Sequence, residues 1–134
     1  MEQHLQQDIF RGEIYLANLQ FTAHSEQSGF RPVLIIQNDV GNAHSPTVIV
    51  AAITSHTDKP ALPTHVAVDT ACGLHRDSLV LAEQLRTLDK RRLGKAIGML
   101  TEPEMKAVDK AISVSVGIGR TPGESSPTRR CALS

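Results

Sequence analysis

The chain has no tryptophan, one tyrosine and three phenylalanines among its 134 residues. So few rings exclude an aromatic platform on which successive bases could stack. Net charge is lacking too, because fourteen Lys and Arg balance fourteen Asp and Glu. A general polyanion sponge is therefore excluded, and any nucleic-acid contact must come from a few placed cations. The charge is nevertheless uneven: residues 120–134 hold three arginines against one glutamate, a local +2 that leaves −2 for the rest. The two cysteines, Cys72 and Cys131, are too few for a disulfide framework and match no metal spacing, and they read as free thiols in a reducing compartment. The six histidines are scattered without zinc-site spacing, so no metal is expected. No apolar run approaches the ~20 residues that span a bilayer. The first residues, Glu2, Gln3, His4, Gln6, Gln7 and Asp8, are unlike a secretory signal, so a cytoplasmic protein is expected.

What is present is a series of short strand patterns. The length fits one domain. Residues 1–8 read as a polar lead-in, 9–118 as a single domain, and 119–134 as a Pro-, Ser- and Arg-containing tail too poor in apolar surface to order. Strands are expected at Glu13–Leu19, Pro32–Gln37, Thr47–Thr54, His65–Asp69 and Ser78–Leu85, with a turn-rich link from Asn38 to Pro46. Gln20–Phe30 is a long polar loop and a candidate lid, and Ser55–Pro63 is a second loop. Asp89–Gly94 reads as a short helical turn, capped by Asp89 and ended by Gly94. Thr101-Glu102-Pro103-Glu104 is a capping box opening a helix that turns Met105, Val108, Ala111, Ile112 and Ser115 to the core. The fold class is mainly β (α+β): a half-open barrel with a short helix and a C-terminal helix.

One site stands out. The loop ending in Gly29 delivers Arg31 to the first positions of an apolar strand, and Ile49–Thr54 is a second buried run ending in a hydroxyl. A cation fixed at the mouth of a sheet suits an anionic substrate better than it suits a core. The guanidinium can hold two phosphate oxygens and stays charged at any ordinary pH. Thr54 can orient a phosphate oxygen or donate to it, but cannot serve as a base. Glu26 is the acid/base candidate in the loop, beside Ser25 and Gln27 as RNA contacts. Ser78, Gln84 (at the end of its strand) and Arg86 are further RNA-contact candidates, while Arg76-Asp77 reads as a structural or dimer-interface ion pair. Lys90-Arg91-Arg92 reads as a solvated face. His24 and His56 read as exposed loop residues, and His65 falls within a strand.

The segments Arg11-Gly12-Glu13-Ile14-Tyr15, Ser25-Glu26-Gln27-Ser28-Gly29-Phe30-Arg31-Pro32-Val33-Leu34, Gln37-Asn38-Asp39, Ala51-Ala52-Ile53-Thr54, Leu62-Pro63-Thr64-His65-Val66 and Glu83-Gln84-Leu85-Arg86-Thr87-Leu88-Asp89-Lys90 follow in order. Together they resemble the MazF/PemK-type toxins of bacterial toxin–antitoxin pairs. The chain departs from that pattern at His75, where the nearest subgroup more often carries an acidic residue, and from Gly119 onward. The resemblance implies an SH3-like barrel that forms a homodimer and cuts single-stranded RNA at short motifs without a metal or other cofactor. It makes Arg31 central, pairs it with Thr54, and puts a glutamate at Glu26. It also implies an antitoxin partner whose disordered segment occupies the RNA groove. The competing readings are a non-catalytic binder on the same barrel, like the CcdB-type gyrase poisons, and an SH3-like module docking disordered peptides, which the scarcity of rings disfavours.

Overall fold

The computed structural model describes residues 8–19, 29–58 and 61–119. Six strands and two helices follow in chain order: β1 (Glu13–Asn18), β2 (Phe30–Ile35), α1 (Asp39–His44), β3 (Thr47–Thr54), β4 (His65–Val68), β5 (Ser78–Asp89), β6 (Leu93–Met99) and α2 (Glu102–Val116). All pairings are antiparallel, in the order β4-β5-β3-β2-β1-β6.

The central strands read as continuous apolar runs because both of their faces are buried. Ile14, Leu34, Ala51 and Ile53 belong to one cluster with Val80, Leu74 and Val108. Their strand neighbours Tyr15, Val33, Ile35 and Val50 belong to a second cluster with Val48 and Leu88. Helix α2 closes the first cluster. Its Val108 and Ala111 are buried, and Met105 and Ile112 pack against the core, as their spacing predicts. The capping box is formed: the Thr101 hydroxyl accepts from the Glu104 amide at 3.3 Å, and the Glu104 carboxylate accepts from the Thr101 amide at 2.8 Å. Arg11 ties this helix to the start of β1. Its Nη2 donates to Asp109 at 2.7 Å, its Nε to the Ile36 carbonyl at 2.7 Å, and its amide to Asp39 at 2.7 Å.

The sheet curls because β5 bends. Ala51 faces Leu85 but Ala52 faces Leu81, so Ala82, Glu83 and Gln84 bulge from the ladder. The half of β5 before the bulge pairs with β4 as well. The strand runs on to Asp89, which puts Gln84 inside it and not at its end, as the sequence suggested. The curled edges meet at two glycines. A Cβ on Gly98 of β6 would overlap the Cys72 carbonyl, and one on Gly73 would overlap the Ile97 carbonyl.

Those glycines explain the main error of the sequence reading, which missed β6. Leu93–Met99 contains Gly94 and Gly98 and so reads as punctuation, yet Gly98 serves close backbone approach and Gly94 leaves room for the Phe30 ring. The 3-10 turn Lys90–Arg92 is capped by Asp89 as expected, but Gly94 lies in β6 and ends nothing. Helix α1 was also missed. Asn38 caps it, accepting from the Gly41 amide at 2.8 Å, and buried Asn42 bonds the Gln37 carbonyl at 2.9 Å. Residues that usually signal turns here satisfy one another inside a helix. The 1–8 lead-in and the 119–134 tail lie almost wholly outside the described residues.

If the Gly73–Gly98 contact closes the barrel, Gly98→Ala should lower stability by about 1–3 kcal/mol, the usual cost of overpacking. Urea denaturation measures it, and an unchanged midpoint would show that the two edges do not depend on this approach.

Candidate functional site

The end of the sheet where β2 begins and β3 stops opens into a cavity of about 570 Å³. Its apolar floor is Leu16, Pro32, Ile53, Leu74 and Ile97, contributed by β1, β2, β3, the segment before β5, and β6. Arg31, Thr54, Ser55, His56, His75, Arg76 and Ser78 supply its polar lining.

Register brings the two leading candidates together. Val33 pairs with Ala52 across β2 and β3. The paired segment is Val33–Ile35; two residues beyond it the same register would align Arg31 with Thr54, and both residues line the cavity. Arg31 is exposed and makes no ion pair among the described residues. Thr54 is half-buried, and its Oγ1 accepts from the His56 amide at 3.1 Å. That bond fixes the oxygen where the strand ends and uses the hydroxyl only as an acceptor.

The other sequence candidates separate. Ser25, Glu26 and Gln27 lie outside the described residues. Ser78 lines the cavity but is buried, and its hydroxyl donates to the Arg76 carbonyl at 2.9 Å. Gln84 is exposed within the β5 bulge and Arg86 faces Val50 in register; neither lines the cavity. Within this chain Arg76 and Asp77 form no ion pair with each other, and Arg76 lines the cavity. His56, an exposed loop residue as the sequence suggests, and His75, a departure from the family pattern, both line it. Only the fold shows this, because β3 and the segment before β5 meet far from their places in the chain.

The cations of the Lys90–Arg92 turn are tied to the protein. Lys90 donates to the Asn42 carbonyl, and Arg92 to the Asn18 carbonyl at 3.0 Å. Arg91 forks onto Asp89 at 3.0 and 3.1 Å. The Arg91 hydrogen bonds hold the Asp89 carboxyl down to about 2. Among the described residues no group of three or more His, Cys, Asp or Glu side chains is arranged to hold a metal. Burial pushes the Cys72 thiol up, away from the reactive thiolate.

A second polar cluster fixes the end of the loop that leaves the cavity at His56. The Leu62 amide donates to His65 Nδ1 at 3.3 Å, so the proton sits on Nε2, which donates to Glu83 at 3.1 Å. The Thr64 hydroxyl donates to the other Glu83 oxygen at 2.8 Å. Burial alone would push the Glu83 carboxyl up, but hydrogen bonds from Thr64, from its own backbone and from His65 outweigh it and hold it below the ordinary value. A carboxyl depressed in the folded state stabilises above its unfolded value, and that contribution is lost as pH falls through the folded one. Between about pH 6 and about pH 3 the urea midpoint should therefore drop more in the wild type than in Glu83→Gln. Equal drops would mean that the cluster does not favour the charged carboxylate.

Comparison with known proteins adds family membership to this geometry. Residues 10–116 match the family described as PemK-like, MazF-like toxin of type II toxin-antitoxin system. The Endoribonuclease MazF of Staphylococcus saprophyticus is 51% identical over 109 residues, covering 81% of this chain and 91% of that protein. Among solved structures, the Mycobacterium tuberculosis toxin MazF-mt6 is similar with a TM-score of 0.69 and 30% identity, over 81% of this chain and 99% of that one. An endoribonuclease in complex with its cognate antitoxin, from a mycobacterial species, reaches a TM-score of 0.71 at 27% identity, over 84% of this chain and 99% of that one.

Proposed function

The chain belongs to the PemK-like, MazF-like toxins of type II toxin–antitoxin systems, and from that premise we propose how it works as an endoribonuclease. It is the RNA-cleaving toxin of such a pair, and its protein partner is an antitoxin. The substrate we assign is single-stranded messenger RNA, cut at a short sequence without a metal. The observation that supports the site assignment is that Arg31, near the start of β2, and Thr54, at the end of β3, line one cavity.

Without a metal, the neighbouring 2′-hydroxyl attacks phosphorus and the 5′-oxygen leaves. The protein must take the 2′-proton, stabilise the charge that grows on the non-bridging oxygens, and see the 5′-oxygen protonated. Arg31 grips two of those oxygens with its fork, and Thr54 donates its remaining proton to one of them. Neither residue suits the role of base: a guanidinium keeps its proton at any ordinary pH, and a hydroxyl is no base at neutral pH. Glu26 is the carboxylate that the sequence offers for proton transfer, with Ser25 and Gln27 beside it as RNA contacts. Gln84 and Arg86, on β5 beyond the cavity, would meet nucleotides flanking the cut, and Ser78 shapes the wall beneath them. The uncut strand lies across the mouth, where an antitoxin's disordered segment competes for the same groove.

We further infer a homodimer, as the family pattern implies, working in the cytoplasm where messenger RNA is found. No helix among the described residues is long and apolar enough to cross a membrane.

The test incubates the protein with a long RNA in EDTA and maps the ends. Discrete cuts leaving 5′-hydroxyls are expected. Arg31→Ala should slow them by about 10²–10³-fold, the loss typical of removing a transition-state donor. Thr54→Val should slow them by about 10–100-fold, as for a hydrogen bond to a charged group. Cutting abolished by EDTA would overturn the metal-free chemistry, and intact RNA would overturn the enzyme.

A further inference from the structure

We propose that Arg76 holds a second phosphate of the RNA, one next to the scissile phosphate, while the nucleoside between the two lies on the apolar floor of the cavity. The proposal rests on the ribonuclease reading of this cavity and adds a binding contact to it, not a catalytic group.

Three observations carry it. The first is the size and lining of the cavity. At about 570 Å³ it falls in the range that takes a whole small-molecule ligand, more than a single phosphate fills. Leu16, Pro32 and Ile97 make part of its floor apolar, and Arg31 and Arg76 both line it. Apolar surface between two guanidiniums matches the repeat of a nucleic acid, in which a base and a sugar separate successive phosphates.

The second is the place of Arg76 in the sheet. Thr54, the last residue of β3, pairs with Leu79 of β5, and Arg76 lies three residues before Leu79. The segment that carries Arg76 therefore enters the sheet beside the strand end that carries Thr54. Arg31 comes from β2, on the opposite side of β3. The two arginines thus flank Thr54 from either side, so a strand gripped at Arg31 and Thr54 can continue toward Arg76.

The third is how Arg76 is held. Leu74 and Ser78, two residues to either side, are buried, and the Ser78 hydroxyl donates to the Arg76 carbonyl at 2.9 Å. Gly73 is packed against the backbone of β6. Arg76 itself is exposed and enters no ion pair among the described residues. A cation on an anchored backbone loses less freedom when it binds, and its fork suits a phosphate. In a chain without net charge, one such contact is a large share of the attraction to RNA.

The experiment measures, over a range of salt, binding of a short RNA made uncleavable by a 2′-deoxy sugar just before the mapped cut. Arg76→Gln should bind about 10–100-fold more weakly, the range for a hydrogen bond to a charged group. The slope of log affinity against log salt should shrink by about 0.7, one phosphate contact on a single strand. Arg76→Lys, which keeps the charge, should keep the slope. On cleavable RNA the Arg76→Gln loss should appear in KM more than in kcat, the reverse of Arg31→Ala. A neutral methylphosphonate at one of the two linkages beside the cut should weaken wild-type binding by the same factor and weaken Arg76→Gln no further. The proposal is overturned if Arg76→Gln keeps the wild-type affinity and slope, or if each methylphosphonate weakens both proteins equally. A change of oligomeric state in Arg76→Gln, measured by sedimentation, would also overturn it by placing Arg76 in a subunit interface. RNA left intact by the wild type sinks the ribonuclease reading instead, and the salt slope on an unmodified single strand then decides for Arg76.

Discussion

Everything in this molecule depends on the register of β2 against β3. Pairing Val33 with Ala52 sends Leu34, Ala51 and Ile53 beneath α2, and Val33, Ile35 and Val50 into the second cluster. A slip of one residue would exchange the two sets and leave apolar side chains facing the wrong layer. Burial on both faces therefore fixes the pairing strongly, and the functional residues inherit that precision. Arg31 and Thr54 lie just past the packed rows, so the core aligns them although neither belongs to it. A rigid scaffold with a charged mouth is what electrostatic stabilisation of a reacting phosphate requires.

The second half of the site comes from closure of the sheet. Without the β5 bulge the sheet would be flatter, and the segment before β5 would stay away from β2. With it, the two edges curl until Gly73 and Gly98 meet backbone to backbone, which carries Leu74, His75 and Arg76 to the cavity. The His65–Glu83–Thr64 cluster links the bulge to the end of the loop that leaves Thr54. Stability and site geometry thus share the same contacts. Surface charge plays a different part: the Lys90–Arg92 run is spent on local carbonyls and on Asp89, while Arg31 and Arg76 line the cavity.

Much of this was legible in the chain. The capping box of α2 and the apolar runs of β2 and β3 are local patterns with direct physical meaning, whereas the pairing of Arg31 with Thr54 comes from the family resemblance. What escaped depended on the third dimension. Gly94 and Gly98 look like breaks until their close neighbours are seen, so β6 was hidden. Asn38, Asp39, Gly41 and Asn42 look like a turn until their mutual hydrogen bonds show a helix. His56 and His75 look like ordinary loop residues, because nineteen positions separate them and only barrel closure brings both to one cavity.

The central claim is that Arg31 and Thr54 grip one phosphate together. The most direct measurement is a crystal structure with an oligonucleotide whose scissile nucleotide lacks its 2′-hydroxyl. The account predicts the scissile phosphate within about 3 Å of both the Arg31 guanidinium and Thr54 Oγ1, ordinary hydrogen-bond reach. A phosphate seated on the Lys90–Arg92 turn, or held by Arg31 with Thr54 turned away, would contradict it.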